Sequence, residues 1–309
     1  MARLGHTDIE VFPLCLGGNV FGWTIDQERS FEVLDAYVQA GGNFIDTADV
    51  YGRRGAGAGS SEEIIGRWIA ARGNREQLVI ATKVGMAQEL KGLSRETITR
   101  GIDASLGRLG IETVDLYYAH ADDPETPLEE TLGAFDALIG AGKIRHAGAS
   151  NYSAQRLEQA MQIGARADMA EYVALQPQYN LLERDYEREL RGVCERYGLA
   201  CVPYFALARG FLSGKYRRDG PQVDSPRAAG VRQSYFNERG FRVLGALEAL
   251  AAARGSSVAA LSLAWLAAQP TVLAPIASAT SPEQLHELTA SVGLELSDDE
   301  LERLSAASA

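Results

Sequence analysis

The amino-acid sequence predicts an α/β barrel of the (β/α)8, or TIM, type. Three observations carry this. Short β-prone runs alternate with amphipathic helical segments along the chain, which implies a parallel sheet with helical crossovers. Eight such runs occur, enough to close a barrel. Several are apolar without alternation, as strands covered on both faces are. The length of 309 residues suits one barrel and a single domain over 1–309.

The strand candidates, in order, are 13–18 (PLCLGG), 43–48 (NFIDTA), 77–84 (QLVIATKV), 114–120 (VDLYYAH), 143–150 (KIRHAGAS), 172–178 (YVALQPQ), 199–205 (LACVPYF) and 271–277 (TVLAPIA). Ahead of them, RLGHTDIEVFPL carries a His-Thr-Asp turn between two β-prone pieces, the pattern of a hairpin closing the barrel floor. Between the third and fourth runs, Ile98, Ile102, Leu106 and Leu109 share one face at helical spacing. Thr126-Pro127-Leu128-Glu129 and Ser281-Pro282-Glu283-Gln284 read as capping boxes with proline at the first helical position. Gly41, Gly73, Gly110, Gly142, Gly198 and Gly255 follow expected helix ends, where a left-handed residue is wanted. One long irregular stretch, 211–240, is rich in Gly, Arg and Pro; loops of that length inside compact domains are usually functional. Helices at 241–254 and 258–268 are expected to follow it.

Composition narrows the function classes. Hydrophobic residues make up 46% of the chain, enough for a sizeable core. A net charge of −11 argues against a nucleic-acid partner, which needs clustered Lys and Arg, but leaves room for a local basic patch. Cys15, Cys194 and Cys201 lack metal-site spacing and read as buried thiols of a reduced compartment. The N-terminus has no apolar signal-peptide core, and no apolar run approaches the ~20 residues of a membrane helix. The expectation is a cytoplasmic monomer with no membrane partner.

In barrels of this kind the chemistry sits at the C-terminal ends of the strands. Polar residues gather there: Asp46 and then Tyr51 after the second run, Lys83 on the third, His120 on the fourth, Ser150 and Asn151 on the fifth, Gln176 on the sixth and Tyr204 on the seventh. A lone Lys is commonly a solvated tip, and a lone His a structural histidine. So many on one rim point to a site. Phenols have a pKa of roughly 10 and donate reluctantly at neutral pH. A neighbouring ammonium is expected to lower the Tyr51 pKa, an Asp to hold that ammonium, and a His to share the proton or orient an oxygen. The set reads as a general acid facing an oxyanion, as carbonyl reduction requires. No residue is a redox centre, so the electrons must come from a cofactor.

The segments GGNFIDTADVYG, IATKVG, VDLYYAHADDP, GKIRHAGASNYS, LQPQYNLLER, VPYFALARGFLSGKYR and PIASATSPEQL resemble the aldo-keto reductase superfamily over nearly the whole chain. The resemblance implies a catalytic tetrad of Asp46, Tyr51, Lys83 and His120, with Tyr51 protonating a carbonyl oxygen as hydride arrives. It implies that Ser150, Asn151 and Gln176 hold a nicotinamide carboxamide and that Tyr204 stacks on its ring. Phe205, Leu207, Arg209 and Gly210 would begin a loop covering the pyrophosphate, with Lys215 and Arg217 further along it. Ser278, Thr280 and Gln284 would meet the adenosine-phosphate end, where a helix starting near 282 offers free N–H groups. A basic residue common near Thr280 and an Asn common at Leu288 are missing. The cofactor expected is NADPH, with NADH possible, because Arg209, Lys215, Arg217 and Arg218 supply positive charge. Trp23, Met86 and Phe236 are candidates for the wall of a pocket taking a small carbonyl substrate. The alternative function is a cofactor-binding regulator of the same fold with little turnover, as ion-channel β subunits in this superfamily are.

Overall fold

The computed structural model describes every residue except Asp168. The strands are β1 (Ala2–Arg3), β2 (Glu10–Val11), β3 (Cys15–Gly17), β4 (Phe44–Asp46), β5 (Val79–Val84), β6 (Met86–Ala87), β7 (Leu90–Lys91), β8 (Val114–Ala119), β9 (Ile144–Ser150), β10 (Tyr172–Gln176), β11 (Ala200–Cys201) and β12 (Ile276–Ala277). Eight of them form one parallel sheet in the order β11-β10-β9-β8-β5-β4-β3-β12. Backbone bonds then close it into a barrel. Cys201 N donates to Thr271 O at 2.9 Å, Leu273 N to Cys201 O at 2.8 Å, and Ile276 N to Pro203 O at 2.9 Å. The seventh and eighth runs are thus shorter as regular strands than 199–205 and 271–277 suggest. Pro203 and Pro275 lack the N–H that a continuous ladder needs.

The barrel floor is the expected hairpin. β1 and β2 pair antiparallel, and Thr7 ties the turn by donating to Leu4 O at 2.7 Å while accepting from Ile9 N at 3.1 Å. Leu4, Ile9 and Val11 then pack with Val173, Ala174, Ala200 and Val202. Alternation along each strand does the rest. Phe44, Val79, Ala81, Leu116 and Tyr118 fill the barrel interior. Ile45, Ile80, Val84, Tyr117 and Ala119 pack outward with the helices. Continuing the inward set one position upward reaches Asp46, Lys83 and His120. The strand period therefore stacks polar residues on top of an apolar plug.

The surrounding helices are α1 (Gln27–Gln39), α2 (Ser60–Arg72), α3 (Arg95–Leu109), α4 (Leu128–Gly140), α5 (Ala154–Ala167), α6 (Leu190–Tyr197), α7 (Ala228–Tyr235), α8 (Glu238–Arg254), α9 (Val258–Ala267), α10 (Pro282–Thr289) and α11 (Asp298–Ala307). All six expected end glycines have positive φ, between 59° and 88°. Three expectations need correction. α4 starts at Leu128 with Pro127 at its cap and no side-chain cap, because the Thr126 hydroxyl donates to Asp123 Oδ2 at 2.7 Å instead. At α10 Ser281 does cap Gln284 N, but Gln284 Oε1 accepts from Thr280 N and Oγ1, so the reciprocal half of the box is displaced by one residue. The stretch 211–240 is not irregular throughout: it contains α7, and α8 begins at Glu238 rather than 241, capped by Asn237. Among the described residues no single helix is long and apolar enough to cross a membrane.

One buried ion pair fastens α2 and α3 to β5. Glu62 is fully buried, accepting from Arg108 Nε at 2.7 Å and from Thr82 Oγ1 at 2.6 Å. Removing one partner of such a pair leaves an uncompensated buried charge. Arg108→Ala is expected to lower stability by about 3–5 kcal/mol, read from the urea midpoint of unfolding.

Candidate active site

Lys83 lies at the centre of the rim. It is fully buried, and its Nζ donates to Asp46 Oδ2 at 2.7 Å, Thr47 O at 2.7 Å and the Tyr51 hydroxyl at 3.2 Å. These three contacts use all three ammonium hydrogens. Gln176 Nε2, from across the barrel, donates to Asp46 Oδ1 at 2.8 Å. Ser150 Oγ donates to Gln176 O at 2.8 Å, and Asn151 Nδ2 to His120 O at 2.8 Å and Ser150 Oγ at 3.0 Å. Tyr204 OH completes the chain by donating to Asn151 Oδ1 at 2.7 Å. Tyr51 and His120 meet edge to face, ring centroids 6.2 Å apart.

The electrostatics partly follow the sequence expectation. Burial opposes the charge on Lys83, yet Asp46 and Tyr51 hold its pKa above the usual lysine range. Burial, with Lys83 and Arg53, pushes His120 well below the usual histidine range, so the imidazole is neutral at neutral pH. Its Nδ1 is buried without a partner. Tyr51 departs from expectation. Burial raises its pKa, and the lowering by Lys83 does not overcome that, because Asp46 opposes it. The resting phenol is therefore held protonated rather than acidified.

Above these residues a cleft of about 1200 Å³ opens. Asp46, Tyr51 and His120 line it, as do Ser150, Asn151, Gln176, Tyr204, Phe205, Leu207, Arg209, Gly210, Lys215, Ser278, Thr280 and Gln284. Lys83 sits beneath its floor. Asn151, Phe205 and Arg209 adopt left-handed backbone with φ of 54°, 54° and 58°. Strain of this kind at non-glycine residues is characteristic of functional sites.

A model of the Aldo/keto reductase family matches residues 13–309. The chain belongs to the aldo/keto reductase family. It is 32% identical to norsolorinic acid reductase stcV of Emericella nidulans over 317 residues, covering 95% of this chain and 77% of that one. It is 34% identical over 295 residues to a probable voltage-gated potassium channel subunit beta of Oryza sativa subsp. japonica, covering 92% and 88% of the two chains. It is 33% identical over 295 residues to aldo-keto reductase yakc of Schizosaccharomyces pombe, whose name specifies NADP(+), covering 92% and 84%. Oxidoreduction is the chemistry that this membership supports.

The structure sorts the charges of this aldo/keto reductase differently from the sequence reading. Arg217 pairs with Glu248 at 2.8 Å and Arg218 with Glu238 at 2.7 Å, so both are committed to α8 rather than to the cleft. Two residues the sequence reading missed take their place. Asn19 accepts from Ser278 Oγ at 2.8 Å and from Arg227 Nη2 at 3.3 Å, bridging the loop after β11 to the barrel. The strand-end rule, applied to the first run, finds Asn19; Arg227 lies within a loop and has no such signal. The start of α10 is already capped by Ser281, which reduces the free N–H groups expected there. Met86 lines the cleft and is 43% exposed. Trp23 stands at the rim against Arg54 and Arg227 rather than on the cleft wall. Phe236 packs with Phe211, Tyr216 and Phe241, outside the cleft lining.

Behind the site, Asp49 is buried with both carboxylate oxygens lacking a partner. Burial first and Glu62 second push its pKa from 3.8 up to about 7. The folded state thus keeps a proton that the unfolded chain releases. Its stability is fully present below about pH 4 and falls as pH rises through 7, by at most roughly 4 kcal/mol. Asp49→Asn should flatten this decline. Thermal melts should show the variant gaining on the parent between about pH 4 and pH 8.

Proposed function

We propose that this protein reduces aldehydes or ketones to alcohols with NADPH, Tyr51 acting as the general acid. The observation that carries this reading is a fully buried lysine, paired with Asp46, 3.2 Å from the Tyr51 hydroxyl at the floor of a large cleft. The bound nicotinamide supplies the hydride.

The residues present suit such a cofactor. Arg209, Lys215 and Arg227 have no acidic partner among the described residues, and the Arg209 Nε is buried without any acceptor. Unpaired, partly desolvated cations call for an anionic ligand. Burial lowers the pKa of Arg227, and burial and Arg227 lower that of Lys215, so added negative charge would relieve both. Tyr204 presents its ring to the cleft while its hydroxyl is anchored to Asn151. Gln176 Oε1 remains free to accept from an amide, while the Ser150 hydroxyl has its hydrogen committed to Gln176 O and keeps one lone pair. Asn151 has both amide hydrogens committed within the protein, and its carbonyl oxygen, which accepts from Tyr204, keeps one lone pair.

The chemistry follows from the same contacts. Tyr51 is held protonated and can give its proton to an oxygen above it. The phenolate left behind faces Lys83, whose ammonium stabilises it without moving. Asp46 and Thr47 O fix that ammonium, and Gln176 fixes Asp46. His120, being neutral, can hydrogen-bond the substrate oxygen without repelling Lys83. Reprotonation of Tyr51 resets the site.

Mixing the protein with NADPH and a panel of aldehydes should consume NADPH, followed at the nicotinamide absorbance. Tight NADPH binding without turnover of any aldehyde would favour the regulatory reading that likeness to channel β subunits suggests. Tyr51→Phe is expected to cut kcat by about 10²-fold or more while leaving NADPH affinity near that of the parent. Lys215→Ala should raise the Kd for NADPH more than for NADH, roughly ten-fold for a lost charge-assisted contact. An equal loss for both would place Lys215 at the pyrophosphate.

A further inference from the structure

The loops after β3, β4, β5 and β8, four neighbouring strands of the sheet, carry one side of the cleft. β4 leads to Tyr51 and β8 to His120. β3 pairs with β4, Gly17 standing opposite Asp46 in the parallel register. The chain that leaves β3 stays close to its neighbour. A Cβ at Gly18 would lie 2.9 Å from Ser61 Oγ and 3.1 Å from Asp46 O, so glycine lets this turn sit against the strand that bears Asp46. The turn, Gly18–Val20, sends Asn19 and Val20 into the cleft.

Most groups on this side are apolar or already committed. Val20, Ile25, Met86 and Ala121 bring hydrocarbon. Thr24 donates its hydroxyl hydrogen to Val20 O at 3.4 Å. Asp26 caps α1, and Arg29 pairs with Glu32. Tyr51 and His120 serve the reacting oxygen. Asn19 is different. Its Oδ1 accepts from Ser278 Oγ at 2.8 Å and from Arg227 Nη2 at 3.3 Å. A guanidinium only donates, so turning the amide round would set N–H against N–H. The two donors therefore fix which way the amide faces. Asn19 Nδ2 has no partner among the described residues, and it is not among the buried polar atoms that lack one, so its hydrogens are open to the cleft.

We propose that Asn19 sets substrate choice by donating from Nδ2 to a second oxygen beside the reacting carbonyl, and that this protein takes apolar α-dicarbonyl compounds such as α-keto esters. This rests on the carbonyl-reductase reading above. Tyr51 and His120 take the oxygen that is reduced. Asn19 stands on the adjoining strand end, and adjacent strands run about 4.8 Å apart. That spacing suits oxygens on neighbouring carbons rather than opposite ends of a long molecule. Being uncharged, the amide suits a ketone or ester oxygen. Val20, Met86 and Ala121 pack on the hydrocarbon body. A site built to hydrogen-bond a substrate group disfavours the analogue that lacks it, because the group on the protein is then left unpaired.

The test compares methyl benzoylformate, an α-keto ester, with trifluoroacetophenone, an activated phenyl ketone whose trifluoromethyl group is a poor acceptor, as substrates with NADPH. The first substitution is Asn19→Asp. A carboxylate still accepts from Ser278 and Arg227, so the bridge to the loop stays while the donor hydrogens are lost. The kcat/KM for the keto ester should fall about ten-fold or more relative to that for the trifluoro ketone. Asn19→Leu, which adds no charge, should shift the preference the same way. Comparing ratios removes differences in intrinsic reactivity and any general effect on Tyr51 or on cofactor affinity. A preference that neither substitution moves overturns the proposal. Equal losses with both ketones and a raised Kd for NADPH, from fluorescence titration, also overturn it, since Asn19 would then be a cofactor contact. A parent protein that consumes NADPH with neither ketone overturns the reductase reading, and the proposal with it.

Discussion

The ammonium of Lys83, closed off from solvent inside the barrel, constrains everything around it. A buried lysine normally gives up its proton. Here Asp46 and Tyr51 hold it charged, and Thr47 O takes the third hydrogen. The desolvation of two charges is a large cost, tolerable only when the geometry is close and the remaining lone pairs are satisfied. That is why Gln176 reaches across the barrel to the second Asp46 oxygen, and why Ser150 in turn fixes the Gln176 backbone. The network draws on β4, β5, β9 and β10, so neighbouring and opposite strands of the barrel meet at one ammonium.

The same low-dielectric setting explains why Tyr51 is a protonated donor at rest. Burial acts on its phenolate more strongly than one nearby ammonium that already serves an aspartate. The attraction of Lys83 for a phenolate is held in reserve, since it grows only as negative charge appears on Tyr51. Interactions that strengthen along the reaction are the ones that accelerate it.

A second layer of charge lies outside the barrel wall. Glu62, Arg108 and Asp49 occupy the interface between α2, α3 and the strands, behind the Asp46–Tyr51 turn. Glu62 has two donors, Arg108 and Thr82. Asp49 has none and takes a proton instead.

The sequence by itself determined the barrel and its rim. A period of two places Phe44 below Asp46, and Val79 and Ala81 below Lys83, and this follows from strand geometry alone; the rim residues fell into one cleft for that reason. The floor hairpin was legible because its turn chemistry is local. What only the tertiary structure decided depends on distant partners. Arg217 and Arg218 are basic residues of the long loop like Arg227, yet they face acids of α8 while Arg227 reaches Asn19, more than two hundred residues away in sequence. The shortening of β11 and β12 likewise comes from how the barrel ends meet. The direction of the Tyr51 shift was not readable from a Lys–Tyr motif, because motifs record neighbours and not burial. Local pattern fixes where a side chain points; which charge it meets there, and how much water is left, are properties of the closed barrel.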